Sequence, residues 1–291
     1  PWVPMIVLMA TTIMVALDGT IVNVALHEIG VSLRVGDGIE WIMTAYLLAV
    51  CASQPATGWL SDRFGRKQVL LTCLVAFTGA SLLCATATSL QMLIVYRVLQ
   101  GLGGGAIFPV GMAMALELFP KQQQGRAMAT WGMAAMAAPA IGPTLGGFLV
   151  THLGWHWLFL VNLPIGAVTL IAGVRVLPQV GYRERRSFDA LGLLFGSIGL
   201  SLTVLGLAEG NSWGWQSPGT LVAVLGGCTL LALFVRHERR VAEPLLRLAI
   251  LSQPIFRNAT LATMLINGAQ YARLVFMPLQ LEGLRGFTPL K

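Results

Sequence analysis

Charge is what this chain has least of. Asp, Glu, Lys and Arg make up 11% of its 291 residues, whereas a soluble globular domain carries about a quarter. That shortage excludes a water-solvated surface of ordinary extent. Hydrophobic residues take the space, at 56%, with a mean hydropathy of +0.74. Cysteine is also scarce: Cys51, Cys73, Cys84 and Cys228 all fall in apolar runs and never as a CxxC pair. They read as small buried hydrophobes, which excludes a disulfide framework and a thiolate metal site. No metal cluster, catalytic triad or phosphate loop is visible, so neither an enzyme nor a bound cofactor is expected. The nearest approach is GLGGGA at 101–106. A dinucleotide site needs a strand before that pattern and an acidic residue about 20 positions after it, and here it lies inside a long apolar run.

What is present is a series of membrane-length segments. A helix of roughly 20 apolar residues crosses a hydrocarbon core of about 30 Å. Stretches without Asp, Glu, Lys or Arg cover 41–61, 68–96, 98–116, 127–174, 190–208 and 210–235. The long run from 127 holds two spans, broken at 152–157. With a first segment and a last, the expectation is an all-α, polytopic transmembrane bundle of about nine helices. These fall at 4–26, 41–60, 69–87, 91–117, 127–150, 157–177, 190–208, 219–235 and 259–281. The first segment has no basic region ahead of it, so it does not read as a signal peptide. The chain begins without Met, so its natural N-terminus is expected to lie further upstream.

Basic residues mark the cytoplasmic side of short loops. With the N-terminus inside, the cytoplasmic loops hold Arg63, Arg66, Lys67, Lys121, Arg126, Arg175, Arg183, Arg185, Arg186, Arg236, Arg239, Arg240, Arg247 and Arg257, which is 14 of the 19. Only Arg34, Arg285 and Lys291 lie on the other side, and Arg97 and Arg273 fall within spans. This asymmetry places the chain in the inner (plasma) membrane with a cytoplasmic N-terminus. It also accounts for the net charge of +7 through an anionic leaflet, with no nucleic-acid partner required. Trp155 and Trp157, and Trp213 and Trp215 in NSWGWQS, read as interfacial belts on the outer side.

Small residues punctuate two of the spans. Arg97, Gly101, Gly105 and Phe108 repeat on one face of the fourth, and Ala134, Ala138, Gly142 and Gly146 on one face of the fifth. Small residues let helices approach closely in lipid. Pro139 and Pro143 free backbone carbonyls one turn earlier, so a bend is expected there.

Several longer motifs add specificity. GWLSDRFGRK (58–67) resembles the loop between helices 2 and 3 of the major facilitator superfamily, LIVYRVLQGLGGG (93–105) its helix 4 motif, and APAIGPTLGG (138–147) the helix 5 motif of its antiporters. LDGTIVNVAL (17–26), WHWLFLVNLPIG (155–166) and GLAEGNSWGWQSP before the eighth helix resemble the 14-helix drug/proton antiporters of the EmrB/QacA type. His27 stands where that family usually has proline, and His156 where arginine is common. The resemblance implies an N-terminal six-helix bundle at 1–177, a cytoplasmic linker and inserted helix pair at 178–235, and a cytoplasmic loop with the first helix of a C-terminal bundle at 236–291. Five helices of the family fold are then absent, and the chain reads as a fragment.

Asp18 is the candidate proton-coupling residue. A carboxylate at membrane depth costs at least about 2.5 kcal/mol on insertion scales and is by default a functional hypothesis. It is expected to take up a proton when open to the outside and to release it inward when a cationic substrate takes its place. The plain alternative is a carboxylate that only bonds a neighbouring helix. Arg97 is its expected electrostatic partner, against snorkelling to the outer interface. Asn23 is a candidate for the substrate path, or else a helix-packing residue. The resemblance implies a conformational latch built from Gly58, Asp62, Arg63, Gly65, Arg66 and Lys67, with Glu117 and Arg126 adding charge pairs, and an antiporter helix motif at Gly142, Pro143, Gly146 and Gly147. The expected function is a proton-coupled antiporter, driven by the proton gradient, that exports lipophilic or cationic compounds across the bilayer. The alternatives are a same-fold transporter of a lipid or endogenous metabolite, and a non-transporting membrane remnant.

Overall fold

The structure is a computed structural model that describes residues 1–179, 187–241, 243–246 and 248–285, with side chains described as far as 269. The loop residues Arg183, Arg185, Arg186 and Arg247, the side chains of Arg273 and Arg285, and Lys291 lie outside the described residues. Every regular element described is helical. Two compact units result, Pro1–Leu245 and Leu246–Lys291.

The first unit begins with α1 (Trp2–Val24) and a short continuation, α2 (Leu26–Ser32). The expected single helix at 41–60 is two pieces, α3 (Trp41–Ser53) and α4 (Ala56–Phe64). Pro55 lies between them; it has no N–H to donate and its ring crowds the preceding turn. Gly65 then turns the chain at φ +89°, a backbone region open to glycine without strain, and α5 (Arg66–Ala85) runs back. The fourth span is likewise divided, into α6 (Leu90–Gly104) and α7 (Ile107–Glu117). Ser89 caps α6 by accepting from the Met92 N–H at 3.3 Å. The fifth, α8 (Gln124–Leu153), stays one continuous helix through Pro139 and Pro143.

The sixth span starts as the single turn α9 (Trp157–Leu160) and continues as α10 (Asn162–Val176). α11 (Ala190–Ala208), the turn α12 (Gly210–Trp213) and α13 (Pro218–Glu238) form a helical hairpin. In the second unit, α14 (Pro254–Arg285) covers the expected ninth helix. Among the described residues seven helical segments are long and apolar enough to cross a membrane. The broken α3–α4 segment and α14 are not in that set.

Close approach organises the packing. A Cβ on Gly101 would come 2.6 Å from the Tyr46 carbonyl oxygen, and one on Gly105 2.8 Å from that of Val50, so α6 lies backbone to backbone against α3. On its other side a Cβ on Gly103 would come 2.8 Å from the Phe77 backbone nitrogen of α5. Gly146 does the same for α8 against Ile21 of α1. Phe108 leaves the expected shared face, because the helix is interrupted before it, and is exposed. The α11–α13 hairpin is attached to α3 by hydroxyl groups. Ser197 donates to the Ala52 carbonyl at 2.6 Å, Ser201 to that of Leu48 at 3.3 Å, and Thr44 to Glu209 Oε1 at 3.2 Å.

Two expectations need correction. Trp155 is not an exposed member of an interfacial belt: it is 2% exposed and its indole N–H donates to Ser32 Oγ at 3.1 Å, so a partner within the protein takes the place of the interface. Cys228 is exposed rather than buried, whereas Cys84 is buried.

Candidate functional site

Four helices bring polar groups onto their buried stripes at one place. On α1 that stripe carries Met14, Asp18, Ile21 and Val22; on α6 it carries Leu93, Arg97, Gln100 and Gly101. α5 contributes Ser81 and Cys84, and α10 opens with Asn162 just after the break at Val161. Each follows the three- and four-residue spacing that points helix side chains one way. The polar cluster therefore lies where the apolar core would otherwise continue.

Asp18 and Arg97 meet at its centre. Arg97 Nη1 donates to Asp18 Oδ2 at 2.6 Å, and both side chains are 0% exposed. Arg97 also donates from Nη1 to Gln100 Oε1 at 2.8 Å and from Nε to the Ile42 carbonyl at 3.3 Å. Its guanidinium carbon lies 3.9 Å from the centre of the Tyr46 ring, a cation–π contact that strengthens on desolvation. Asp18 Oδ1 accepts from Gln100 Nε2 and from Asn162 Nδ2, both at 2.9 Å. Ser81 Oγ accepts from the same two amides at 3.2 and 3.0 Å and donates to the Phe159 carbonyl at 3.0 Å. Three charge-assisted or amide donors thus compensate a carboxylate that the apolar surroundings alone would not tolerate. Removing one partner of such a buried pair costs roughly 3–5 kcal/mol.

This settles where Arg97 sits: against Asp18 in the interior, not at an interface. The pair joins an acid on α1 to a permanent cation on α6. Gln100, Asn162, Ser81 and Tyr46 escaped the sequence reading, although Gln100 and Asn162 stand inside the quoted motifs. The available signal was spacing: Gln100 follows Arg97 by three residues, on the same helix face. Asn162 offered only its polarity in an apolar run.

The other candidates are dispersed. Asn23 is exposed on α1, well round the helix from Asp18. Of the latch residues, Arg66 forms an ion pair with Glu117, joining α5 to α7. Lys67 turns instead to the end of α10, donating to the carbonyls of Leu177 at 2.6 Å and Val174 at 2.9 Å. Arg126 lies 5.6 Å from the Trp2 ring centre. Gly58 and Gly65 flank the α4 segment that carries Asp62 and Arg63, and Gly65 supplies the turn. In the helix 5 motif Gly142 and Gly146 pack on Thr20 and Ile21, Pro143 stays within the helix, and Gly147 faces open space. Among the described residues no group of three or more His, Cys, Asp or Glu is placed to hold a metal ion.

Comparison with known proteins defines the class. Residues 8–189 match the model of the Major Facilitator Superfamily, and the chain belongs to that family of membrane transporters. The chain is 33% identical over 287 residues to a Multidrug resistance protein B homolog of Mycobacterium tuberculosis, covering 96% of this chain and 52% of the relative. It is 38% identical over 287 residues to a protein named MdtD from Yersinia enterocolitica, covering 95% and 59%. It therefore spans about half the length of the curated relatives it matches. Among solved structures, a peptide transporter POT mutant in complex with sulfate superposes with a TM-score of 0.60 at 17% identity, covering 82% of this chain and 52% of that one. That likeness is one of fold.

Proposed function

We propose that this chain provides the N-terminal part of a proton-coupled antiporter that exports lipophilic or cationic compounds by alternating access. The observation that carries this reading is the fully buried Asp18–Arg97 pair, an acid and a permanent cation tied across two membrane-spanning helices. When ionised, Asp18 is held by Arg97; when protonated, it loses that attraction and the two helices are less firmly joined. A cationic substrate competes with the proton for the same carboxylate, so occupancy by one favours release of the other. Proton entry from outside and release inward then drive export, with the N-terminus on the cytoplasmic side of the plasma membrane. The Arg66–Glu117 pair contributes to the latch that sets the balance between the two facing states. The name of the Mycobacterium relative supports a drug-like cargo.

The test uses Asp18→Asn and Asp18→Glu in the full-length protein reconstituted into liposomes. Asp18→Asn fixes a neutral side chain, so efflux driven by a pH gradient is lost per molecule of inserted protein. Asp18→Glu keeps partial activity with a displaced pH optimum. A membrane potential of 100 mV is worth about 2.3 kcal/mol per charge moved, and the Asn variant cannot use it for accumulation. Normal coupling in Asp18→Asn removes Asp18 from the mechanism.

A further inference from the structure

The Asp18 carboxylate is held unevenly. Among the described residues Oδ1 accepts two amide N–H groups, from Gln100 Nε2 and Asn162 Nδ2 at 2.9 Å each, while Oδ2 accepts one bond, from Arg97 Nη1 at 2.6 Å. A carboxylate oxygen offers two lone-pair directions. Oδ1 is therefore filled, and Oδ2 has one direction left.

We infer that Gln100 and Asn162 are positioning residues that commit Oδ1 to the helix scaffold and make Oδ2 the oxygen that takes the proton, on the lone-pair direction that Arg97 leaves open. This rests on the reading of Asp18 as the proton site. The orientation of both amides is fixed by Ser81. Its hydroxyl hydrogen is used on the Phe159 carbonyl at 3.0 Å, so its lone pairs face the amides and require NH₂ ends there. Gln100 is held from its other end too, since its Oε1 accepts from Arg97 Nη1 at 2.8 Å. Neither amide can turn its oxygen toward Asp18 without breaking these bonds.

The two oxygens then respond differently to a proton. A neutral amide N–H serves the carbonyl of a carboxylic acid as it serves a carboxylate, so the bonds to Oδ1 survive. The bond from Arg97 is charge-assisted and loses its ionic part when the acid is neutral. A proton delivered by hydronium forms an O–H bond at Oδ2, water departs, and the charge of the carboxylate is cancelled. Arg97 keeps Gln100 Oε1 and the Ile42 carbonyl, while its Nη2 has no hydrogen-bond partner among the described residues. Proton uptake thus weakens the hold of Asp18 on the arginine and leaves the carboxyl plane in place. The titratable groups around Asp18 are Arg97 from α6, Tyr46 from α3 and Cys84 from α5. Among the described residues α9 and the start of α10 add none.

Infrared difference spectra of the full-length protein in liposomes, taken between acidic and alkaline buffer, test this. The carbonyl band of protonated Asp18 is identified as the one missing in Asp18→Asn. Asn162→Leu and Gln100→Leu each remove one donor from Oδ1, so the band moves to higher wavenumber in both and the pH midpoint of its appearance moves with it. Asn162→Ser keeps a donor and places the band between wild type and Asn162→Leu; it also carries the test if the leucine variant fails to insert. A purely structural role for the amides would change yield and leave the band where it is, and unshifted bands in the leucine variants overturn the inference. An Asp18 band that shifts as described in the leucine variants, in a wild-type protein without proton-coupled efflux, would instead remove the transport reading and leave this one standing. No protonated carboxyl band at any pH would overturn both.

Discussion

The Lys67 ammonium reaches the main-chain carbonyl of Leu177 at 2.6 Å and that of Val174 at 2.9 Å, so a charge from the first turn of α5 closes the last turn of α10. Its neighbour Arg66 goes elsewhere, to Glu117. Two adjacent basic residues of one motif therefore do different things. Cations at helix C-termini stabilise by roughly 0.3–1 kcal/mol. Lys67→Met is expected to lower thermal stability by about that amount while leaving the balance of facing states unchanged. Arg66→Gln is expected to shift that balance with less effect on stability. Melting curves and cysteine accessibility on both faces of the membrane distinguish the two; identical behaviour of the variants would contradict the division.

Gly146 and Gly147 make a second contrast. A Cβ at Gly146 would lie 3.1 Å from the Ile21 carbonyl oxygen, whereas one at Gly147 meets nothing within 4 Å. Gly146→Ala must push α8 away from α1, at a cost of about 1–3 kcal/mol. Gly147→Ala gains up to about 1 kcal/mol of helix propensity. Thermal melting of the two variants in detergent gives the comparison, and equal losses would mean that the α1–α8 contact is not the reason for the glycine.

The positions of the spans were legible because charge is nearly absent within them: α8 at Gln124–Leu153 brackets the expected 127–150. The interruptions were not. Pro55 is plain in the sequence, yet hydropathy alone ran 41–60 together, because it takes no account of a missing N–H. Asp18 and Arg97 were legible for the same reason as the spans, as ionisable groups in runs that exclude them. Gln100 and Asn162 were not, since an amide is tolerated in a span for many reasons. Only the crossing of α1 with α10, which joins residues 144 apart in sequence, shows what Asn162 bonds. Trp155 was misread because aromatic position was taken for exposure, when its indole N–H had Ser32 to reach.

The direction of the chain across the membrane can be tested at two exposed positions. Cysteines placed at Ser212, within α12, and at Arg239, after α13, are expected to react with an impermeant thiol reagent from outside and from the cytoplasm respectively. The native Cys228 is exposed and is first replaced by serine. The expectation rests on the crowding of basic residues at the Arg239 end; the reverse labelling pattern would invert the orientation.

His156 gives a pH dependence away from the proton site. It stacks on Trp155 with ring centres 3.8 Å apart, and burial pushes its imidazole below its ordinary range. The folded state therefore binds this proton less readily than the unfolded chain. Its contribution to stability is fully present above the ordinary histidine value, about 6.5, and declines as pH falls below it, because the unfolded state then takes up the proton first. The ring is largely exposed, so the slope is shallow. His156→Gln removes the titrating group, and the melting temperature of wild type should fall more steeply than that of the variant between neutral and mildly acidic buffer. His27, His152 and His237 are present in both proteins, so their contributions cancel in the difference. Parallel curves would show that the Trp155 stack does not discriminate between the charged and neutral rings.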